Sequence, residues 1–246
     1  MKNLLITFCL LTWYSMSGFS QTDYNQWEVA SYTPKLGMRD MLEKGLAAHN
    51  KKFHTANPYK IGVMRTISGP GTGDYTLVMG PVTLSQIDGR PSGAEHDADW
   101  QKNVIPYVEA VSDAAFWREY KEVTYAPAGS MNFTKSRLRF FTLNPGQMDR
   151  MKAALKLISE VYKAKNIQAS YTVYIRYGAS QGPHIAAEIG MANWSFLDEP
   201  NTFQKDFEEV HGVGSYQKFL DELEIALDRT KTYDVLNVFK PELGSD

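Results

Sequence analysis

Cysteine is almost absent from this chain: one residue, Cys9, in 246. Everything after position 9 therefore lacks a disulfide, a thiolate metal site and a cysteine nucleophile, and stability must come from an ordinary packed core. A charge excess is missing too. Lys+Arg 26 against Asp+Glu 28 gives a formal charge of −2. Without a basic surplus there is little electrostatic drive toward phosphates, so nucleic acid is not an expected partner. No apolar run reaches the roughly 20 residues that a membrane helix needs, so stable membrane insertion is not expected. The composition, 43% hydrophobic and 22% charged, excludes a disordered chain. The phosphate-loop signature, an H-E-x-x-H pair, an EF-hand loop and a nucleophile elbow are all missing. The glycines of Ser68–Tyr75 have no following GKS or GKT and read as a hairpin loop.

The N-terminus is organised for export. Lys2 precedes a short apolar run, Leu4 to Trp13, and then the small polar stretch SMSGFSQ. That order is the layout of a secretory leader, with Gly18 and Ser20 placed for cleavage before Gln21. The expectation is a leader over 1–20 and an exported mature protein, periplasmic or secreted. Cys9 sits inside the leader, and the bulky Phe8 before it argues against lipidation.

The remainder repeats itself. Val29–Met41 and Phe140–Met151 each carry an apolar strand, a proline, a glycine and a helix start with two methionines three apart. Met38 and Met41 correspond to Met148 and Met151 at a spacing of 110, and Pro34 to Pro145 at 111. Ile61–Gly69 aligns with Val173–Ser180, which puts Arg65 over Arg176. Tyr75–Asp88 aligns with Ile185–Asp198, with Gly80 over Gly190 and Asp88 over Asp198. A steady offset this long is the mark of a duplicated domain, not a solenoid unit.

Each half reads as β-α-β-β-α-β. In the second half Met148, Met151, Leu155, Ile158 and Tyr162 lie on one helical face. Tyr171, Val173, Ile175 and Tyr177 alternate with Thr172, Tyr174 and Arg176, the period of a strand. Strands are expected at 139–143, 184–191 and 232–239, and helices at 203–210 and 216–227. In the first half the same order gives strands at 28–33, 60–67 and 75–80 and a helix at 38–53. A helix from about 96 to 120 and a closing strand at 122–126 complete it. The Pro-, Gly- and Ser-containing stretch Pro127–Lys135 links repeats over 21–130 and 131–246.

In this order and duplication the chain resembles the ferredoxin-like dimeric α/β-barrel superfamily in tandem form. Relatives include small monooxygenases, haem-degrading monooxygenases, chlorite-dismutase-like and NIPSNAP-like proteins. The resemblance implies an α+β fold. Two tandem ferredoxin-like units would form an α/β barrel within one chain, their four-stranded sheets packed face to face. It also implies a pocket between sheet and helices in each half. Its chemistries are diverse, so the fold does not select a reaction.

Candidate ligand-binding residues are Arg176, Tyr174, Arg65, His184, Glu188 and His96. An arginine among apolar strand residues needs an anion or a path to water. Arg176 shares a strand face with Tyr174, and Glu188 is the expected counter-charge on the adjacent strand. Arg65, among Ile61, Val63 and Ile67, is expected to point to water. His184 and Glu188 share a strand face. His96 stands among Glu95, Asp97 and Asp99 at a helix start. His49 and His54, five apart on the predicted helix, are expected to face different sides. His211 reads as a helix-end residue. Neither a metal site nor a cofactor is expected, and oligomeric state is left open. Two functions remain: an exported protein that binds a small aromatic or anionic ligand, and a cofactor-free or haem-dependent monooxygenase-type oxidoreductase.

Overall fold

The structure, a computed structural model, describes residues 24–112, 114–128, 133–178 and 182–245. The expected leader lies outside the described residues, as do positions 179–181 of the loop after Gly178.

The first repeat comprises β1 (Gln26–Pro34), α1 (Arg39–Phe53), β2 (Ile61–Ser68), β3 (Tyr75–Met79), the short α2 (Leu84–Ile87), α3 (Ala94–Asn103), β4 (Val108–Val111) and β5 (Ala115–Glu119). The second comprises β6 (Lys135–Phe141), α4 (Met148–Ala164), β7 (Ser170–Tyr177), β8 (Ile185–Met191), α5 (Phe203–His211), α6 (Ser215–Ala226) and β9 (Tyr233–Phe239). In the second repeat α4, β7, β8, α5, α6 and β9 follow their periodicities closely, but the strand expected at 139–143 runs Lys135–Phe141, because Ser136, Arg137 and Arg139 break the apolar pattern that would have marked its start.

The first repeat departs from the sequence reading after α3. The helix expected to run to residue 120 stops at Asn103. Pro106 brings no amide donor, and the chain passes through a short 3-10 turn, Ile105–Tyr107, into β4 instead of continuing the helix. The closing strand is Ala115–Glu119, not 122–126; Tyr125 contributes only an isolated bridge to Tyr171.

Within the first repeat the strand order is β5-β1-β3-β2, and within the second β9-β6-β8-β7. The two sheets do not merely face each other, as expected. Their edges are joined by hydrogen bonds, β2 to β9 through Arg65↔Val238 and β5 to β7 through Trp117↔Arg176. The result is one closed antiparallel barrel of eight strands, with β4 added beside β1. Closure removes every open edge from the ring, and with it the exposed ladder groups that an edge leaves unpaired.

Helices cover the outside. Leu42 and Leu46 of α1 pack on Ile61, Val63, Tyr75 and Leu77. Met151, Leu155 and Tyr162 of α4 pack on Phe141, Tyr171, Val173, Ile185 and Ala187. The space between sheet and helices, where the resemblance implied a pocket, holds these two cores. By the two-residue period of a strand, the alternate residues face the lumen.

The register also corrects the pairing of the two arginines. Val63 lies opposite Leu77, and Val173 opposite Ala187. Structural equivalence in these strands therefore runs at 110, which matches Arg65 with Ile175, and Thr66 with Arg176. A slip of one residue moves a side chain to the other face. Arg65 thus faces the helices and Arg176 the lumen.

Candidate functional site

β7 ends at one mouth of the barrel, and Arg176 stands one residue before that end on the inner face. Its strand partner is Trp117 of β5. The guanidinium lies 5.9 Å from the Trp117 ring. Trp117 meets Phe140 of β6 at 5.9 Å, and Phe140 meets Tyr233 of β9 at 5.1 Å. Burial raises the Tyr233 hydroxyl above its ordinary value, and the Arg176 charge acts against that rise. All four side chains are half-buried. The mouth is thus lined by aromatic rings from three strands with one cation among them, a combination suited to a planar anion.

Deeper in the lumen, the Tyr174 hydroxyl donates to Glu188 Oε2 at 3.2 Å. Trp27 packs edge-on against Tyr174 at 5.4 Å. Glu188 is 6% exposed, and burial raises its carboxyl above the ordinary range while the Tyr174 hydroxyl opposes that rise. Burial and the neighbouring Glu188 also hold the Tyr174 phenol well above its usual value. Three predicted residues, Arg176, Tyr174 and Glu188, therefore share the lumen wall. Glu188 takes the tyrosine hydroxyl.

The other three lie elsewhere. Arg65 sits opposite Tyr75 on the helix-facing side and is half-buried. Its charge acts on the Tyr75 hydroxyl, which is hydrogen-bonded to Glu43 of α1. It does not point freely to water, because α1 lies over that face. His184 has a structural role. Its Nδ1 accepts from the Leu143 amide at 3.1 Å, and its carbonyl accepts the Arg176 amide at 2.9 Å. His211 closes α5 as read from sequence, with Nε2 at 3.1 Å from the Leu157 carbonyl and its ring on Phe207.

His96 lies outside the barrel, on the first turns of α3, against α1. Its Nε2 is 3.3 Å from Nε2 of His49. His54, expected on another side of the helix, joins them: α1 ends at Phe53, and non-helical backbone at His54 (φ −109°, ψ 46°) turns its ring back to within 5.6 Å of His49. One ring nitrogen from each of His49, His54 and His96 lies within 4.8 Å of the others. Among the described residues this is the histidine and carboxylate grouping able to hold a metal ion. Burial lowers the pKa of His49, and pushes that of His54 down to about 4. Sequence reasoning missed the trio because the five-residue spacing assumed one continuous helix.

No protein-family model matches the chain, and no curated protein does. Solved structures do. A candidate monooxygenase from Lactobacillus acidophilus aligns at TM-score 0.55 and 12% identity over 91% of this chain and 96% of its own. Another from Fusobacterium nucleatum aligns at TM-score 0.56 and 8% identity over 88% and 92%. An anthrone oxidase-like protein aligns at TM-score 0.55 and 9% identity over 89% and 92%. At such identities the likeness is one of fold: the chain has the ferredoxin-like α/β-barrel fold in tandem form. Among the described residues no helix is long and apolar enough to cross a membrane.

Proposed function

We propose that this is an exported protein that binds a small aromatic anion at the mouth of its barrel. The observation that carries this reading is the placement of Arg176 among Trp117, Phe140 and Tyr233. A flat ring carrying a carboxylate would stack on the aromatics and set its charge on the guanidinium. The leader-like N-terminus supports export. Mass spectrometry of protein from its native host should find a mature start at Gln21.

Benzoate is a suitable first probe, followed by quenching of tryptophan fluorescence. Arg176→Ala should weaken its binding by about 1.5–3 kcal/mol, the range for a hydrogen bond to a charged group. Equal affinity in parent and variant, or no saturable binding by the parent, would overturn the reading. The second reading is a cofactor-free or haem-dependent monooxygenase-type oxidoreductase. It is favoured by the shared fold of the monooxygenase-named structures, and fold alone does not fix chemistry. A Soret band in protein purified from its native host would bring it forward.

A further inference from the structure

The three-histidine cluster between α1 and α3 is remote from the barrel mouth, and it has the organisation of a metal centre. His49 comes from α1 one turn before its end, His54 from the residue that ends it, and His96 from the start of α3. Each ring has one nitrogen already committed. Nδ1 of His49 lies 2.8 Å from Asp99 Oδ1. Nδ1 of His96 lies 2.9 Å from Asp97 Oδ1, and Nδ1 of His54 lies 3.0 Å from the Tyr59 carbonyl. All three partners are oxygens that accept, so Nδ1 is the donor in every case. Asp99 is itself fixed by the Asn103 amide at 2.8 Å.

In the neutral rings Nε2 is then a lone pair. Two of these lone pairs point at each other across 3.3 Å, between His49 and His96. Two acceptors at that distance repel unless a cation lies between them. A proton on one ring would join two nitrogens. It would not account for the third ring, His54, one nitrogen of which lies within 4.8 Å of the other two. A tetrahedral zinc ion with Zn–N bonds of about 2.0–2.1 Å holds its nitrogens about 3.3–3.4 Å apart, the spacing His49 and His96 already have. Carboxylate or carbonyl partners on the far nitrogen of each ligand are the usual outer layer of such a centre. Phe53, at 4.9 Å from His49 and 5.2 Å from His96, and Trp100, at 4.8 Å from His49, supply an apolar wall.

We propose that His49, His54 and His96 bind one divalent first-row metal ion of the zinc class through their Nε2 atoms. Imidazole donors without thiolate or carboxylate favour zinc, copper or nickel over magnesium and calcium. His49 and His54 are buried, and the His96 side chain is 18% exposed, so the ion's entry path and its remaining coordination position lie on the His96 side.

The test is titration of the full chain, stripped with a chelator, with Zn²⁺ alone and with Co²⁺ as a visible-absorbing substitute. One ion per chain is expected, with the Co²⁺ spectrum of a four-coordinate site of three imidazole nitrogens and one water. His96→Ala alters the most exposed ring of the three and should keep the fold, judged by circular dichroism. It should lower zinc affinity by more than the 10–100-fold expected of the outer-layer change Asp99→Asn. His54→Gln provides a second ligand removal, and His184→Ala should leave zinc affinity as in the parent. Less than one ion per chain would overturn the assignment. Unchanged affinity in folded His96→Ala and His54→Gln would overturn it equally.

Discussion

Trp117 of β5 and Phe140 of β6 are separated by two strands in the order of the sheet, yet their rings meet at 5.9 Å. They meet because the sheet is closed and both side chains point inward. The lumen at this mouth is therefore shared between the two repeats, and a ligand seated there would touch both. Trp117→Leu should weaken benzoate binding by about 0.5–1.5 kcal/mol, the increment of an aromatic pair. Calorimetric titration beside Arg176→Ala would separate the ring contribution from the charge contribution. Equal benzoate affinity in parent and Trp117→Leu would remove Trp117 from the site.

Glu188 gives the barrel a pH dependence whose sign is fixed by burial. Its folded pKa is raised above the ordinary value of 4.5. The folded state therefore holds the proton more tightly than the unfolded chain, and stability falls as pH rises from about 4.5 through the folded pKa. Glu188→Gln keeps an oxygen to accept the Tyr174 hydroxyl and removes the titration. The variant should melt higher than the parent at pH 7, and the gap should close as pH falls toward 4.5. A parent that melts higher at neutral pH would contradict this.

The seam between β2 and β9 carries a buried side-chain hydrogen bond, Thr66 Oγ1 to Asn237 Oδ1 at 3.0 Å. Thr66→Val preserves shape and leaves the Asn237 oxygen unsatisfied in a site where both residues are under a tenth exposed. The expected loss is about 1–3 kcal/mol in denaturant unfolding. Because both seams are hydrogen-bonded ladders, the β2–β9 one interrupted only by a register shift between Thr66 and Ser68, the parent should unfold in one transition, with tryptophan fluorescence and circular dichroism coinciding. Separate transitions for the two repeats would show that the seams do not couple them.

Gly45 sets the distance between α1 and α3. A Cβ at this position would lie 1.9 Å from the Asn103 carbonyl oxygen. That oxygen belongs to the backbone, so α3 must move. Gly45→Ala should cost about 1–3 kcal/mol as an overpacked contact, despite alanine's better helix propensity. The displaced α3 carries His96 and Asp99 away from His49, so zinc affinity should fall in the same variant. A stabilised Gly45→Ala protein with parental zinc affinity would show that the helices can separate without cost.

Much of the fold was legible in the chain. Met148, Met151, Leu155, Ile158 and Tyr162 mark α4 because a helix turns every 3.6 residues, and Met151 and Leu155 are fully buried. Alternation along Tyr171–Tyr177 placed Tyr174 and Arg176 on one face for the same local reason. The duplication showed through its offset, since two copies of one fold need apolar residues at matching places. Local pattern could not fix which face each arginine takes. That depends on register against the neighbouring strand, and a shift of one residue reverses it. Nor could it show that β2 and β9 would join, because edges meet only once both halves have folded. The histidine cluster lies further still from local reading. His49 and His96 stand 47 residues apart, and His54 reaches them only because α1 stops one residue before it. Periodicity along the chain decided what is buried; the packing of α3 on α1 and the closure of the sheet decided what is brought together.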